Sequence, residues 1–373
     1  NVAMAEGRLD QAIKDSEMLV EIMPHVEGFK DRLKLVRSIR AANQAAQSVV
    51  YLGKYLEDIK ETDKLPHLIQ SIPRDLQKEK FAAEMRRLFL PSRSWADNEI
   101  AIMCGPGFEP WTPKSTKTGL GGSEEAIVYL SDELTKLGWK VTVFANPDVN
   151  EGDFNGVTYK QWYDFNQKDK FNIVIGWRNI GLFDLDLDAK YKAVWMHDVP
   201  LNPEFTQERI GKIDKIFVNS EYHKSLLRLA LINGTFMPMP DDKVFVTSNG
   251  ITSWDPKKEI VRNPYRCIYS SSYDRGIIYL LQMWPEIKKE APQAELHIFY
   301  GWDLYTIMHA NNPARMQWKG RVENLMKQDG IYEHGRVGHE RLNEEFMKSG
   351  IWAYPTDFQE ISCISAMKAQ AYG

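Results

Sequence analysis

The spacing of apolar side chains changes character near residue 95. Before that point they recur every three or four positions among alternating acids and bases. Leu9, Ala12, Ile13, Met18, Leu19 and Ile22 fall close to i, i+3, i+4, i+7 steps, and Pro24 ends the run. Residues 1–95 therefore predict an all-helical extension, with a solvated charged face and a second face packed on the main body or on a partner. Gly7, Ala12 and Pro24 also suggest the second half of a tetratricopeptide repeat, although no second copy follows.

From Asn98 onward, short continuous apolar runs alternate with helical patterns. The runs Glu99–Cys104, Lys140–Ala145, Phe171–Trp177, Lys192–Met196 and Lys215–Asn219 predict strands covered on both faces, as in a parallel sheet. A second set follows at Tyr265–Ser270, Glu295–Tyr300 and Gly350–Tyr354, with helices predicted over Ile277–Glu290 and Glu340–Lys348. The pattern predicts two α/β domains, 96–260 and 261–373, joined near Trp254–Asn263 by a linker containing Asp255-Pro256-Lys257-Lys258. The second is short for a doubly wound domain, so its last strands are expected to lie outside this chain. The first residue is not Met, which fits a fragment.

Composition narrows the function. Lys and Arg number 47 against 51 Asp and Glu, a formal charge of −4, which disfavours non-specific nucleic-acid binding by bulk charge. Cys104, Cys267 and Cys363 lie far apart without ligand spacing, so neither a disulfide framework nor structural zinc is expected, and a reducing compartment fits. No apolar run reaches the roughly 20 residues of a membrane span.

Five segments could carry chemistry. Gly119-Leu120-Gly121-Gly122-Ser123-Glu124-Glu125 opens a helix whose stripe is Ile127, Leu130, Leu134 and Leu137. Ser123 is a candidate N-cap, Glu124 and Glu125 suit the first turn, and Gly138 suits the end. Glycines before a helix let N–H groups approach a phosphate, or simply make a turn. The loop matches neither dinucleotide nor ATP fingerprints. His197-Asp198-Val199-Pro200 follows a predicted strand, where ligands of open α/β sheets sit. Asn219-Ser220-Glu221 and Asn249-Gly250-Ile251 are polar turns after strands, the latter a turn former first. Ser270-Ser271-Ser272 with Arg275 offers three hydroxyls and a guanidinium to a diphosphate, or is a plain loop. Last, Tyr354-Pro355-Thr356-Asp357-Phe358-Gln359-Glu360 runs into a small-residue helix through Gly373.

Each segment is weak alone, but their order is specific. From about Asn98 to Gly373 the chain resembles the retaining glycosyltransferases of the GT-B fold, the large group that includes glycogen and sucrose synthases and many lipopolysaccharide transferases. The resemblance rests on Gly121-Gly122-x-Glu124, His197-Asp198, Asn219–Glu221, Asn249-Gly250-Ile251, the serine loop ending Arg275-Gly276, Gly335-Arg336-Val337 and Pro355-Thr-x-Phe-x-Glu360. The last third looks like transferases of bacteria and their phages. The resemblance implies two Rossmann-like domains facing a cleft, a UDP- or GDP-sugar donor, an unidentified acceptor, no cofactor and no metal. It implies that Ser272 and Arg275 meet the diphosphate and that Arg336 and Val337 lie by the base. Glu360 with the N–H groups of Ile361 and Ser362 would hold the sugar, Gly121–Gly122 would close on the donor, and His197 would contact the 6-hydroxyl. It further implies a cytoplasmic hexosyltransferase of a bacterium or phage-infected cell, with residues 1–95 free for a protein partner or self-association.

One departure stands out. Eight residues after Glu360, where that group carries a second acid for the ribose hydroxyls, this chain has Lys368. A Lys donates and cannot accept. It either leaves the ribose hydroxyls to water, in which case Lys368→Glu would tighten the donor, or meets a phosphate. A non-catalytic nucleotide-sugar-binding or assembly protein, and a sugar-nucleotide epimerase, are the alternative readings.

Overall fold

The structure, a computed structural model, describes residues 2–199, 204–228, 231–232, 235–236, 240–256 and 259–372. Pro200, Gly373 and the linker residues Lys257 and Lys258 lie outside the described residues. The chain divides into two compact units, Asn1–Ser92 and Arg93–Gly373, so the boundary falls before the 95/96 read from composition.

The first unit is helical: α1 (Val2–Ile22), α2 (Glu27–Asp58), α3 (Leu65–Gln70) and α4 (Lys80–Phe89). Its core gathers Leu65, Ile69, Met85 and Phe89. The α1 stripe differs from expectation. Ile13 and Ser16 are buried, whereas Met18 and Ile22 are 53% and 64% exposed. Ser16 Oγ donates to its own helix at Ala12 O (2.7 Å), so a hydroxyl can occupy the buried face at little cost.

The second unit carries two sheets. In the first half lie β1 (Glu99–Met103), α5 (Gly122–Lys136), β2 (Lys140–Ala145), β3 (Gly152–Phe154), β4 (Val157–Gln161), β5 (Lys170–Trp177) and β6 (Asp188–Trp195). They are followed by α6 (Gln207–Gly211), β7 (Lys215–Val218), α7 (Glu221–Arg228), the short pair β8 (Leu231–Ile232) and β9 (Thr235–Phe236), and β10 (Val244–Val246). The sheet runs β10-β7-β6-β5-β1-β2-β4-β3, parallel except for the terminal β3–β4 hairpin. The hairpin was not read from sequence, because β4 alternates buried and exposed positions where the other strands are continuously apolar. The chain reverses its direction of strand addition at β1, between β5 and β2.

The second half holds β11 (Asn263–Tyr269), α8 (Ile277–Glu290), β12 (Glu295–Ile298), α9 (Asp303–His309), α10 (Pro313–Leu325), β13 (Ile331–Glu333), α11 (His339–Lys348), β14 (Ser349–Trp352) and α12 (Ile364–Ala371). Its four strands are parallel in the order β13-β12-β11-β14. Trp284, Tyr269, Tyr273 and Leu281 fill its core. The predicted strands and the helix Ile277–Glu290 form within a few residues of their expected bounds. Helix α5 starts two residues earlier than Ser123 capping would give. Gly121 is its N-cap without a side-chain bond, and Leu137 is 76% exposed rather than in the buried stripe.

Candidate functional site

The carboxyl ends of both parallel sheets open on one cleft of about 420 Å³, within the usual size of ligand sites. From the first half, the loop after β1 brings Glu109, the turn after β5 brings Arg178, and the ends of β6, β7 and β10 bring His197, Asn219 and Asn249. From the second half, the ends of β11, β12, β13 and β14 bring Ser270–Arg275, Tyr300, Arg336 and the Phe358–Ser362 loop.

His197 is buried with its ring edge-on to Trp195, 4.4 Å between centroids. Burial, with Arg178 and His223 nearby, drives its pKa down to about 3, so the imidazole is neutral. Its Nδ1 lies 3.4 Å from Asn219 Nδ2 and its Nε2 has no partner. Asn219 is fixed in turn: its Oδ1 accepts from Trp195 Nε1 (3.0 Å) and its Nδ2 donates to Met196 O (3.1 Å). Arg178 adopts a left-handed backbone with φ 61°, a conformation that costs a non-glycine residue about 1–3 kcal/mol. Its N–H donates to Trp195 O (2.9 Å), and its guanidinium grips Asp198 through two nitrogens with Glu124 at 3.8 Å. Burial raises the Glu124 carboxyl above its ordinary range.

On the opposite wall, Arg275 Nη1 donates to Glu360 Oε1 (3.3 Å), and the guanidinium lies 4.0 Å over the Phe358 ring. Tyr354 OH also donates to Glu360. Two ion pairs cross the cleft. Arg336 meets Glu109 at 2.7 Å, and the buried Lys368 meets the buried Glu125 at 2.8 Å. His339 Nδ1 lies 3.6 Å from Glu125 and 3.2 Å from Tyr129 OH; burial holds its pKa below the ordinary value against the pull of Glu125. Among the described residues, no cluster of three His, Cys, Asp or Glu side chains is placed to hold a metal ion. The three cysteines are free.

No family model matches the chain, and no curated protein matches it by sequence. Solved structures do. A sucrose-phosphate synthase from Thermosynechococcus elongatus aligns at TM-score 0.54 and 14% identity over 74% of this chain and 79% of that one. The chain adopts the GT-B fold. Anabaena HepE, in complex with UDP and glucose, aligns at TM-score 0.46 and 9% identity over 74% of this chain and 78% of that one. The pneumococcal O-GlcNAc transferase GtfA, in complex with UDP and GlcNAc, aligns at TM-score 0.39 and 18% identity over 56% of this chain and 41% of that one.

The residues to which the resemblance gave a role all line the GT-B cleft: His197, Glu360, Gly121, Gly122, Ser272, Arg275, Arg336, Val337, Ile361, Ser362 and Lys368. Several of them are already engaged within the chain, Arg275 with Glu360 and Arg336 with Glu109 among them. Ser272 Oγ donates to Asp274 (2.6 Å), and Lys368 is held by Glu125 rather than standing free for a ribose or a phosphate. Sequence reading missed Glu109, Arg178 and the role of Glu125. Arg178 carried one signal, its place directly after a predicted strand. Glu109 and Glu125 carried none, because their partners lie 227 and 243 residues away.

Proposed function

We propose that the chain is a glycosyltransferase, hexosyltransferase-like, that moves a sugar from a UDP- or GDP-sugar to an acceptor with retention of configuration and without a metal ion. The observation that carries this reading is the convergence of Arg275, Arg336, Glu360 and His197 on one cleft between two parallel sheets. The fold shared with a sucrose-phosphate synthase supports it. Charge develops on the diphosphate oxygen as the sugar departs, and preorganised donors in a secluded site stabilise it. Arg275 supplies that charge once it exchanges Glu360 for phosphate, and Glu360 is then free to accept from sugar hydroxyls. The neutral His197 presents Nε2 to a hydroxyl as donor or acceptor, according to its tautomer. Arg336 and Val337 suit the base, and Gly121–Gly122 suit a close approach to donor.

No helix of the described residues is long and apolar enough to cross a membrane. The free cysteines support placement in a reducing cytoplasm. The test is incubation with UDP-glucose, UDP-N-acetylglucosamine or GDP-mannose in EDTA, following nucleotide release and the sugar product. Release of nucleotide with an α-linked or free sugar product supports the reading. Epimerised donor without release would make it an epimerase, and binding without turnover a donor-binding protein.

A further inference from the structure

Tyr273 and Glu333 do not line the cleft, yet together they tie the carboxyl ends of three adjacent strands. Tyr273 belongs to the loop after β11. It is 1% exposed, and its ring stands edge-on to Trp302, 4.6 Å between centroids. Its hydroxyl donates to Glu333 Oε1 at the end of β13 (2.7 Å) and accepts from the Gly301 N–H in the loop after β12 (2.9 Å). The same Glu333 oxygen accepts from the Gly335 N–H (3.0 Å). The directions are fixed. Backbone N–H groups stand at both ends and only donate, and an ionised carboxylate only accepts, so the one phenolic proton goes to Glu333. Burial and Glu333 both push the Tyr273 pKa up, which keeps that proton in place.

What this chain of bonds holds is the turn that presents Arg336. Gly335 has φ 67°, and a glycine can leave such a conformation as readily as it enters it, so the bonds to its neighbours set the turn. One is the bond to Glu333. Another joins the loops after β12 and β13, where Tyr300 N–H donates to Gly335 O (3.0 Å). From this turn Arg336 passes Gly119, where a Cβ would collide with its Cγ, and reaches Glu109 at 2.7 Å. A guanidinium led along so narrow a path depends on where its backbone starts.

We propose that Tyr273 and Glu333 are positioning residues for the donor nucleotide, seating Arg336 without touching the ligand. This rests on the donor-site reading and goes beyond it, since part of the affinity then resides in a hydrogen-bond chain behind the cleft wall.

The test is calorimetric titration of the full chain with UDP, comparing the unsubstituted protein, Tyr273→Phe, Glu333→Leu, Arg336→Ala and the double variant Tyr273→Phe/Arg336→Ala. Tyr273→Phe and Glu333→Leu are each expected to weaken UDP about three- to ten-fold, as the loss of one hydrogen bond does. With Arg336 already replaced, Tyr273→Phe should change UDP affinity by less than two-fold, because its effect runs through that guanidinium. A tyrosine that only stabilises the fold would weaken both backgrounds alike. Should Tyr273→Phe fail to fold, Glu333→Leu, at an exposed position, takes its place in the double variant. Unchanged affinity in either single variant, or losses that add in the double variant, overturns the assignment and leaves the donor-site reading standing. If the unsubstituted chain takes GDP instead of UDP, the same set is titrated with GDP. If it binds neither, the donor-site reading falls and the assignment with it.

Discussion

At the scale of single residues, the cleft's charges are arranged as partners rather than as a basic patch. Arg275 holds Glu360, and in the proposed function it meets the diphosphate. Arg275→Ala is expected to weaken UDP about ten- to hundred-fold, since hydrogen bonds to charged groups contribute about 1.5–3 kcal/mol. Uridine affinity should change little; titration with both ligands checks it. Lys368 behaves differently. Removing one member of a buried pair costs about 3–5 kcal/mol. Lys368→Met alone should lose stability of that order in urea unfolding, and adding Glu125→Leu should restore part of it. Lys368→Glu, read from sequence as a change that tightens the donor, is expected instead to destabilise the chain by setting a second carboxylate against Glu125. His197 gives a pH signature. The unfolded imidazole takes a proton near pH 6.5, the folded one only near 3. Stability is therefore lost as pH falls from about 6.5 toward 3, with a slope of up to about 1.4 kcal/mol per unit. His197→Asn should flatten that slope in unfolding measured at stepped pH. The residues legible in sequence were those at strand ends, where local pattern and fold rule coincide. Glu109 and Glu125 were illegible because only the packing of one half on the other gives them partners.

At the scale of elements, the buried strands were legible because a sheet covered on both faces requires continuous apolar runs. The edge strand β3 and its neighbour β4 were not, because the alternation of β4 reads as loop or half-buried strand alike. The helix faces were half legible. Ile127 is fully buried as expected, but Leu137 lies beyond the last packed turn and Ser16 substitutes for an apolar residue on α1. The segment that carries Glu360 is set by a contact no periodicity announces. Gly276, the N-cap of α8, has φ 102°, and a Cβ there would collide with the carbonyl of Pro355. Gly276→Ala is expected to cost more than about 1 kcal/mol and to weaken UDP-glucose binding as well. Paired thermal melts and titrations test this, and a stable variant with unchanged binding would count against the glycine's role in placing the 355–363 loop.

At the scale of the whole molecule, the change of periodicity near residue 95 marks a real division, but the sequence put it slightly late. Trp95 is buried in the second unit's core, where its Nε1 donates to Asp169 (2.9 Å), and Arg93 N–H donates to the same carboxylate (3.0 Å). A chain of residues 92–373 keeps these bonds and the whole cleft. It is expected to fold and to bind UDP within about two-fold of the full chain; cutting after Trp95 should cost folding, as read by thermal melt. The pairing of the cleft's cations has a last consequence. Arg178, Arg275, Arg336 and Lys368 each face a carboxylate of the same chain. A phosphate arriving there does not fill an empty socket. It competes with ligands already seated, as an incoming anion does on an ion-exchange resin. The selectivity of such a site lies in how much better the newcomer fits than the side chain it displaces, and added salt loosens the old bond along with the new one.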